Sequence, residues 1–202
     1  MVENKLVNID SISAEVPDWS REKKAFFDWI PSKSLLASIR RYQHAKNKNT
    51  IFSHLVKKIA VLQHLFWSVI TGAEIPINCS IGGGLVMPHA NGIVIHRDTV
   101  IGPNCLIFHQ VTLGSTTGNN PPIIGGQVDI GAGAKILGAI TIGNHAKIGT
   151  NAVVLKDVPM HATAIGIPAK IILKNKPATN TLTINKFIGS SILSTSSFQS
   201  KI

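Results

Sequence analysis

Charge is scarce in this chain of 202 residues: 15% of it is charged, against 44% hydrophobic. Disorder across the whole chain is excluded by that balance, and one core of ordinary domain size is expected. Aromatic residues make up only 5%, so the core cannot rest on large rings. Isoleucine, valine and glycine fill the gap, a mix that suits many short β-segments. There are two cysteines, Cys79 and Cys105, with no CxxC spacing and no disulfide framework. Both read as buried, reduced thiols. Long apolar runs are missing too. The best stretch, Ile59 to Ile70, is too short to span a bilayer and contains Gln63 and His64. The first ten residues carry Glu3, Lys5 and Asp10, and no apolar signal-peptide core follows. A cytoplasmic chain without membrane insertion is expected.

The net charge is +10, with part of the excess in Arg21–Lys24, Arg40–Lys48 and Lys57–Lys58. A nucleic-acid binder would add aromatic platforms or a recognisable motif. Neither is present, so no nucleic acid is expected; a phosphate-rich small molecule or solubility explains the charge as well.

Four segments are expected. Residues 1–33 are polar, with Pro17 and Pro31 breaking any long helix. Residues 34–72 form a helical segment. Leu35, Leu36 and Ile39 start one apolar stripe, and Leu55, Ile59, Leu62, Phe66 and Val69, spaced 4, 3, 4 and 3, make a second. Gly72 terminates it. Such a helical pair buries little alone and is expected to cap something larger. Residues 73–173 are that larger unit. The tail 174–202, rich in Lys, Asn, Ser and Thr, is expected to be disordered.

The larger unit is a repeat of six. Aliphatic residues fall at Ile75, Ile81, Met87 and Ile93; then, after a two-residue shift, at Ile95, Ile101, Ile107 and Leu113. After a loop they resume at Ile124, Ile130, Ile136, Ile142, Ile148 and Val154. Glycine follows at 82, 102, 114, 125, 131, 143 and 149, and the side chain two residues before the aliphatic one is often small: Cys79, Thr99, Cys105, Ala134, Ala146, Ala152. A hexad makes one short strand and one corner, and three of them close a triangular coil of about 18 residues. The aliphatic side chain points to the axis, the small one fits the inner corner, and glycine supplies unusual corner dihedrals. A mainly β fold follows: a parallel β-helix with a small N-terminal α-helical segment. The period breaks twice, at Pro88–Gly92 and at the polar loop Ser115–Ile123. A regular solenoid has few other places for a pocket, so both breaks are expected to border a site.

The runs Gly92–Ile95, Gln110–Gly114, Ile130–Gly138, Ile148–Gly149, Val153–Pro159 and Ala164–Lys170 resemble the hexapeptide-repeat acyltransferases, and most closely the serine acetyltransferase group. The resemblance covers Ile75 to Ile172, about half the chain. It implies a left-handed β-helix, a homotrimer with sites between subunits, and transfer of an acetyl group from acetyl-CoA to a hydroxyl: L-serine in cysteine biosynthesis. The family's catalytic histidine falls on His89. A base with a pKa near working pH takes the hydroxyl proton as the oxygen attacks the thioester, an effect of about 10²–10⁴-fold. By the same resemblance acetyl-CoA would meet Gly114, Ala132, Lys147, Thr150 and Lys170. No metal is expected. The rival use of His89, His96 and His109, a zinc site as in hexapeptide-repeat carbonic anhydrases, lacks that family's acid and arginine pattern.

Three departures are visible. The family's aspartate before the histidine is Pro88 here, a second loop histidine is replaced by Pro121, and the helical part is about half the usual length. These losses raise an alternative acceptor, a sugar hydroxyl in surface or capsular polysaccharide. The non-enzyme alternative is a repeat scaffold or basic nucleic-acid binder on the same fold. In the family a terminal isoleucine docks into a cysteine synthase; Ile202 is terminal here but follows Gln-Ser-Lys rather than acidic residues.

Overall fold

Each hexad folds as a strand of two or three residues followed by a corner. In chain order the strands are β1 (Ser80–Ile81), β2 (Val94–Ile95), β3 (Val100–Ile101), β4 (Leu106–Ile107), β5 (Thr112–Gly114), β6 (Ile123–Ile124) and β7 (Asp129–Ile130). They continue with β8 (Lys135–Leu137), β9 (Thr141–Ile142), β10 (Lys147–Ile148), β11 (Val153–Val154), β12 (Thr163–Ile165) and β13 (Lys170–Ile172). This computed structural model describes residues 12–25, 28–46, 48, 50–116 and 120–173. The expectations for the tail from 174 and for Ile202 lie outside the described residues.

The strands sort into three faces: β1-β3-β6-β9, then β4-β7-β10-β12, then β2-β5-β8-β11, all paired in parallel. Among the described residues only β13 runs back antiparallel, on β12, at one end of the stack. Register measures the coil. Thr112 lies beside Val94 and Val153 beside Lys135, eighteen residues on in each case. Val100 lies beside Ser80 after twenty residues, and Ile123 beside Val100 after twenty-three. The surplus residues are the two period breaks.

All fourteen repeat aliphatics are buried, none more than 6% exposed, and so are Cys79, Thr99, Cys105, Ala134, Ala146 and Ala152. At roughly 1.5–3 kcal/mol for each buried aliphatic side chain, this column is the main source of stability. The glycines after the aliphatic positions work differently from the expectation. Gly82, Gly102 and Gly125 do not have a positive φ. A Cβ on Gly102 would lie 2.5 Å from the carbonyl carbon of Gly125, and one on Gly82 2.6 Å from that of Gly102. Close approach of successive coils, not dihedral freedom, demands glycine there. The left-handed corner sits two residues further on, and mostly not on glycine: Asn104, Gln127, His145 and His161 have φ of 50–61°.

The helical pair is α1 (Pro31–Lys46) and α2 (Ile51–Thr71). Pro31 begins α1 rather than ending a segment before it, because the first helical position needs no N–H donor; the helical region therefore starts at 31, not 34. Thr50 and Ser53 cap α2 reciprocally, and Gly72, at φ 63°, closes it. Leu35, Leu36 and Ile39 are buried, as their stripe predicts. The α2 stripe is not. Leu55, Leu62, Phe66 and Val69 are all more than half exposed, and the buried residues of α2 are Ser53, Ala60, His64 and Thr71. The small face of α2 lies inward; Ser38 Oγ on α1 is 3.3 Å from His64 Nδ1.

The N-terminal strap closes the open end of the coil stack, where backbone groups have no next coil to pair with. Arg40 donates to the carbonyls of Ile81 and Gly82, both at 2.6 Å, and forms an ion pair with Glu22 at 2.9 Å. Glu22 in turn accepts from the N–H groups of Gly84 and Leu85. Asn104 pins the strap lower down, accepting from Asp18 N–H and donating to the carbonyls of Ser13 and Val16.

Candidate active site

One corner of the helix, between the second and third faces, holds the histidine expected from the sequence to act as base. The first period break places His89 there, exposed to solvent. Below it, coil by coil, come His109–Gln110, Ala132–Gly133 and Thr150–Asn151. Backbone bonds fix this stacking: Gln110 N–H donates to Asn91 O at 2.9 Å, Gly133 N–H to His109 O at 2.9 Å, and Asn151 N–H to Ala132 O at 2.8 Å. Gly92, Gln110, Gly133 and Asn151 all have positive φ, so each corner turns at the same point. The result is an imidazole at the head of a column whose next coil presents a second histidine and whose lower coils present Ala132–Gly133 and Thr150–Asn151.

The rings of His89 and His109 meet edge to face, centroids 6.1 Å apart. Nδ1 of His109 is buried without a hydrogen bond. An N–H left unpaired at a buried position is costly, so this environment favours the tautomer that carries its proton on Nε2. Pro88 is exposed beside His89 and contributes no carboxylate; Pro121 is partly buried.

Of the residues expected to meet acetyl-CoA, Ala132 and Thr150 fall in this column. Gly114 lies at the far end of the third face, in an open groove of about 540 Å³ that also involves Glu74, Asn78, His96, Arg97 and Thr112. Lys147 stands on the second face, 3.8 Å from Asp129. Lys170 lies on β13 beside Ile165, exposed. The chain alone thus gathers two of the five and leaves Gly114, Lys147 and Lys170 on other surfaces. The charged groove residues Glu74 and Arg97 were not singled out in the sequence; the available signal was charge within two residues of the repeat aliphatics Ile75 and Ile95.

The remaining titratable groups divide clearly. Burial pushes both thiols up to about 11, and Cys79 and Cys105 donate to the carbonyls of Thr99 and Gly125. They are packing residues. His96 Nδ1 accepts from Asp98 N–H and lies 3.9 Å from its carboxylate. Among the described residues no three His, Cys, Asp or Glu side chains gather as a metal site. The rings of His145 and His161 stack, centroids 4.6 Å apart, on a different corner.

A left-handed parallel β-helix of isoleucine hexads, with a histidine at a widened corner above small residues, defines a hexapeptide-repeat acyltransferase. No family model matches the chain. Sequence comparison is more specific. The chain is 43% identical over 139 residues to a serine acetyltransferase of Helicobacter pylori, covering 67% of this chain and 78% of that protein. It is also similar to the solved serine acetyltransferase of Brucella abortus in complex with coenzyme A, at 33% identity and TM-score 0.62 over 73% of this chain. The Neisseria gonorrhoeae enzyme in complex with serine matches at 37% identity and TM-score 0.56 over 69% of this chain. The chain spans 58% and 54% of those two solved chains. It belongs to the serine acetyltransferase family.

Proposed function

We propose that this chain is an acetyl-CoA-dependent serine O-acetyltransferase, forming O-acetyl-L-serine and CoA, with His89 as general base. The observation that carries this reading is the corner column: His89 stands exposed at the head of a stack in which His109 follows on the next coil and Ala132 and Thr150 on the two after it. In the reaction His89 takes the proton of the acceptor hydroxyl as its oxygen attacks the thioester carbon. The tetrahedral intermediate then collapses, the carbon–sulfur bond breaks, and the His89 imidazolium returns the proton to the CoA sulfur.

Acetyl-CoA, as co-substrate, would lie along the coil edge. The backbone at Ala132 and Gly114 allows its pantetheine arm to approach closely, Thr150 lies further along, and Lys147 and Lys170 would meet its phosphates. These five residues lie on more than one surface of a single chain, which suits a homotrimer in which one copy contributes His89 and a neighbour the CoA contacts. A cytoplasmic role in cysteine biosynthesis follows from this reading.

A second acceptor is favoured by a specific observation. Pro88 next to His89, and Pro121 in the second break, offer no charge to an amino acid's ammonium or carboxylate group. A sugar hydroxyl needs the same base and no such charges. Thiol release from acetyl-CoA, measured with L-serine and in parallel with neutral and acidic sugars, decides the matter. Release that depends on serine supports the first reading. Release only with a sugar moves the acceptor to the second, and release with no acceptor tested defeats both.

A further inference from the structure

The chemistry assigned to His89 leaves a second imidazole unused. His109 turns the same corner one coil later, and its ring meets that of His89 edge to face, centroids 6.1 Å apart. Backbone bonds hold both sides of the contact: Gln110 N–H donates to Asn91 O and Gly133 N–H to His109 O, each at 2.9 Å. The two ring nitrogens of His109 differ. Nδ1 is buried without a partner, so the ring proton sits on Nε2. Nε2 reaches solvent from this half-buried side chain and has no hydrogen-bond partner among the described residues. His109 forms no ion pair there either. Packing alone does not explain such a ring, because a buried nitrogen without a partner costs free energy that an apolar side chain would not. What explains it is the group that Nε2–H meets.

We propose that His109 is a second catalytic residue of the acetyl transfer, donating a hydrogen bond from Nε2–H to the thioester oxygen. The inference rests on the reading of His89 as base. As the acceptor oxygen bonds to the thioester carbon, the carbonyl electron pair moves onto its oxygen. His109 holds that oxyanion and keeps its own proton. When the intermediate collapses, the carbonyl re-forms, the carbon–sulfur bond breaks, and the sulfur takes the proton held by His89. The separation of the rings suits this division. Two nitrogens that each hold one oxygen of the same carbon at about 2.8 Å stand roughly 5–8 Å apart, and ring centroids at 6.1 Å allow it. Other donors at the corner are occupied or missing. The backbone N–H groups of Gln110, Gly133 and Asn151 already donate to the preceding coil. Pro88 has no N–H, and Ala132 and Gly133 have no side-chain donor.

The test is thiol release from acetyl-CoA by the full chain, with L-serine or, where only that supports release, the sugar acceptor. His109→Phe keeps a ring against His89 and removes the donor; His109→Leu removes both; His109→Gln keeps a donor without the ring. All three should retain the wild-type circular dichroism. Loss of one oxyanion donor predicts a kcat about 10²–10³-fold lower in His109→Phe and His109→Leu. KM for acetyl-CoA should stay within about threefold, because the interaction is made only in the transition state. His109→Gln should recover at least about tenfold of the loss. A packing role predicts the reverse order, with phenylalanine active and glutamine impaired, and that order would overturn the proposal. Full kcat in both donorless variants with His89→Ala inactive would overturn it and leave the base in place. Full kcat in His89→Ala would overturn both readings, as would a wild type that releases no thiol with any acceptor. A fall in assembly mass of His109→Phe by light scattering would assign the ring to contact between copies and overturn the proposal as well.

Discussion

Replacing Gly102 with alanine tests the stacking of the coils directly. An alanine Cβ at 102 would stand 2.5 Å from Gly125 C, 2.6 Å from Gly126 N and 2.7 Å from Gly125 O. All three are backbone atoms of the next coil, so no flexible side chain can give way. Overpacking of this kind costs about 1–3 kcal/mol, and a backbone neighbour puts this site at the upper end. For a chain of this size each kcal/mol lowers Tm by roughly 2–4 °C, so Gly102→Ala should melt roughly 5–10 °C lower. Gly114→Ala is the control: its Cβ would touch only Leu137 Cδ2 at 3.3 Å and Thr112 Cγ2 at 3.7 Å, and a shift below about 2 °C is expected. Gly102→Asn separates two causes. If dihedral freedom were the reason for glycine, asparagine would be tolerated, because it enters the left-handed region readily. Thermal melts of the three variants followed by circular dichroism decide it. A Gly102→Ala melt within 1 °C of wild type, on the scale of these shifts, would refute the steric reasoning.

Two further expectations rest on ionisation. His145 is held below its ordinary range by burial first and then by the charge of His161, and burial lowers His64 likewise. The unfolded chain therefore binds protons that the folded one resists, and stability should fall as pH drops below about 6.5. Urea midpoints at pH 7.5 and 5.5 should show this, and His145→Gln should shrink the difference; that corner suits glutamine, since Gln127 occupies the same corner one coil away with φ 50°. An unchanged difference would remove His145 from the account. Cys79 and Cys105, with thiols pushed up to about 11, should react slowly with a disulfide reagent at pH 8 in the folded protein and rapidly in urea. Fast reaction of either without denaturant would contradict their burial.

The coil was legible because its signal is redundant: fourteen aliphatic positions on one period, each aimed at the same axis. The two surplus residues of the first break are countable in the sequence, and the second break is locatable there as Ser115–Ile123. The glycines were legible by position but not by cause, since closeness to the next coil depends on a residue about twenty positions away, beyond any local pattern. The α2 stripe shows the same limit. Its spacing identifies a helix, but spacing cannot say which side turns inward. α2 turns Ser53, Ala60 and His64 inward, His64 against Ser38 of α1, and the larger residues are left outside. At the site, His89 was found through its place in a break and its resemblance to a family motif. His109 had the same corner position one coil later, but only the fold brings its ring against His89.

The central claim is that His89 performs base catalysis in acetyl transfer. It is tested most directly by initial rates of CoA thiol release with acetyl-CoA and L-serine, for the wild type and for His89→Ala. The account predicts serine-dependent release that falls by about 10²–10⁴-fold in the variant, with the melting temperature unchanged because the side chain is exposed. Full activity in His89→Ala would contradict it.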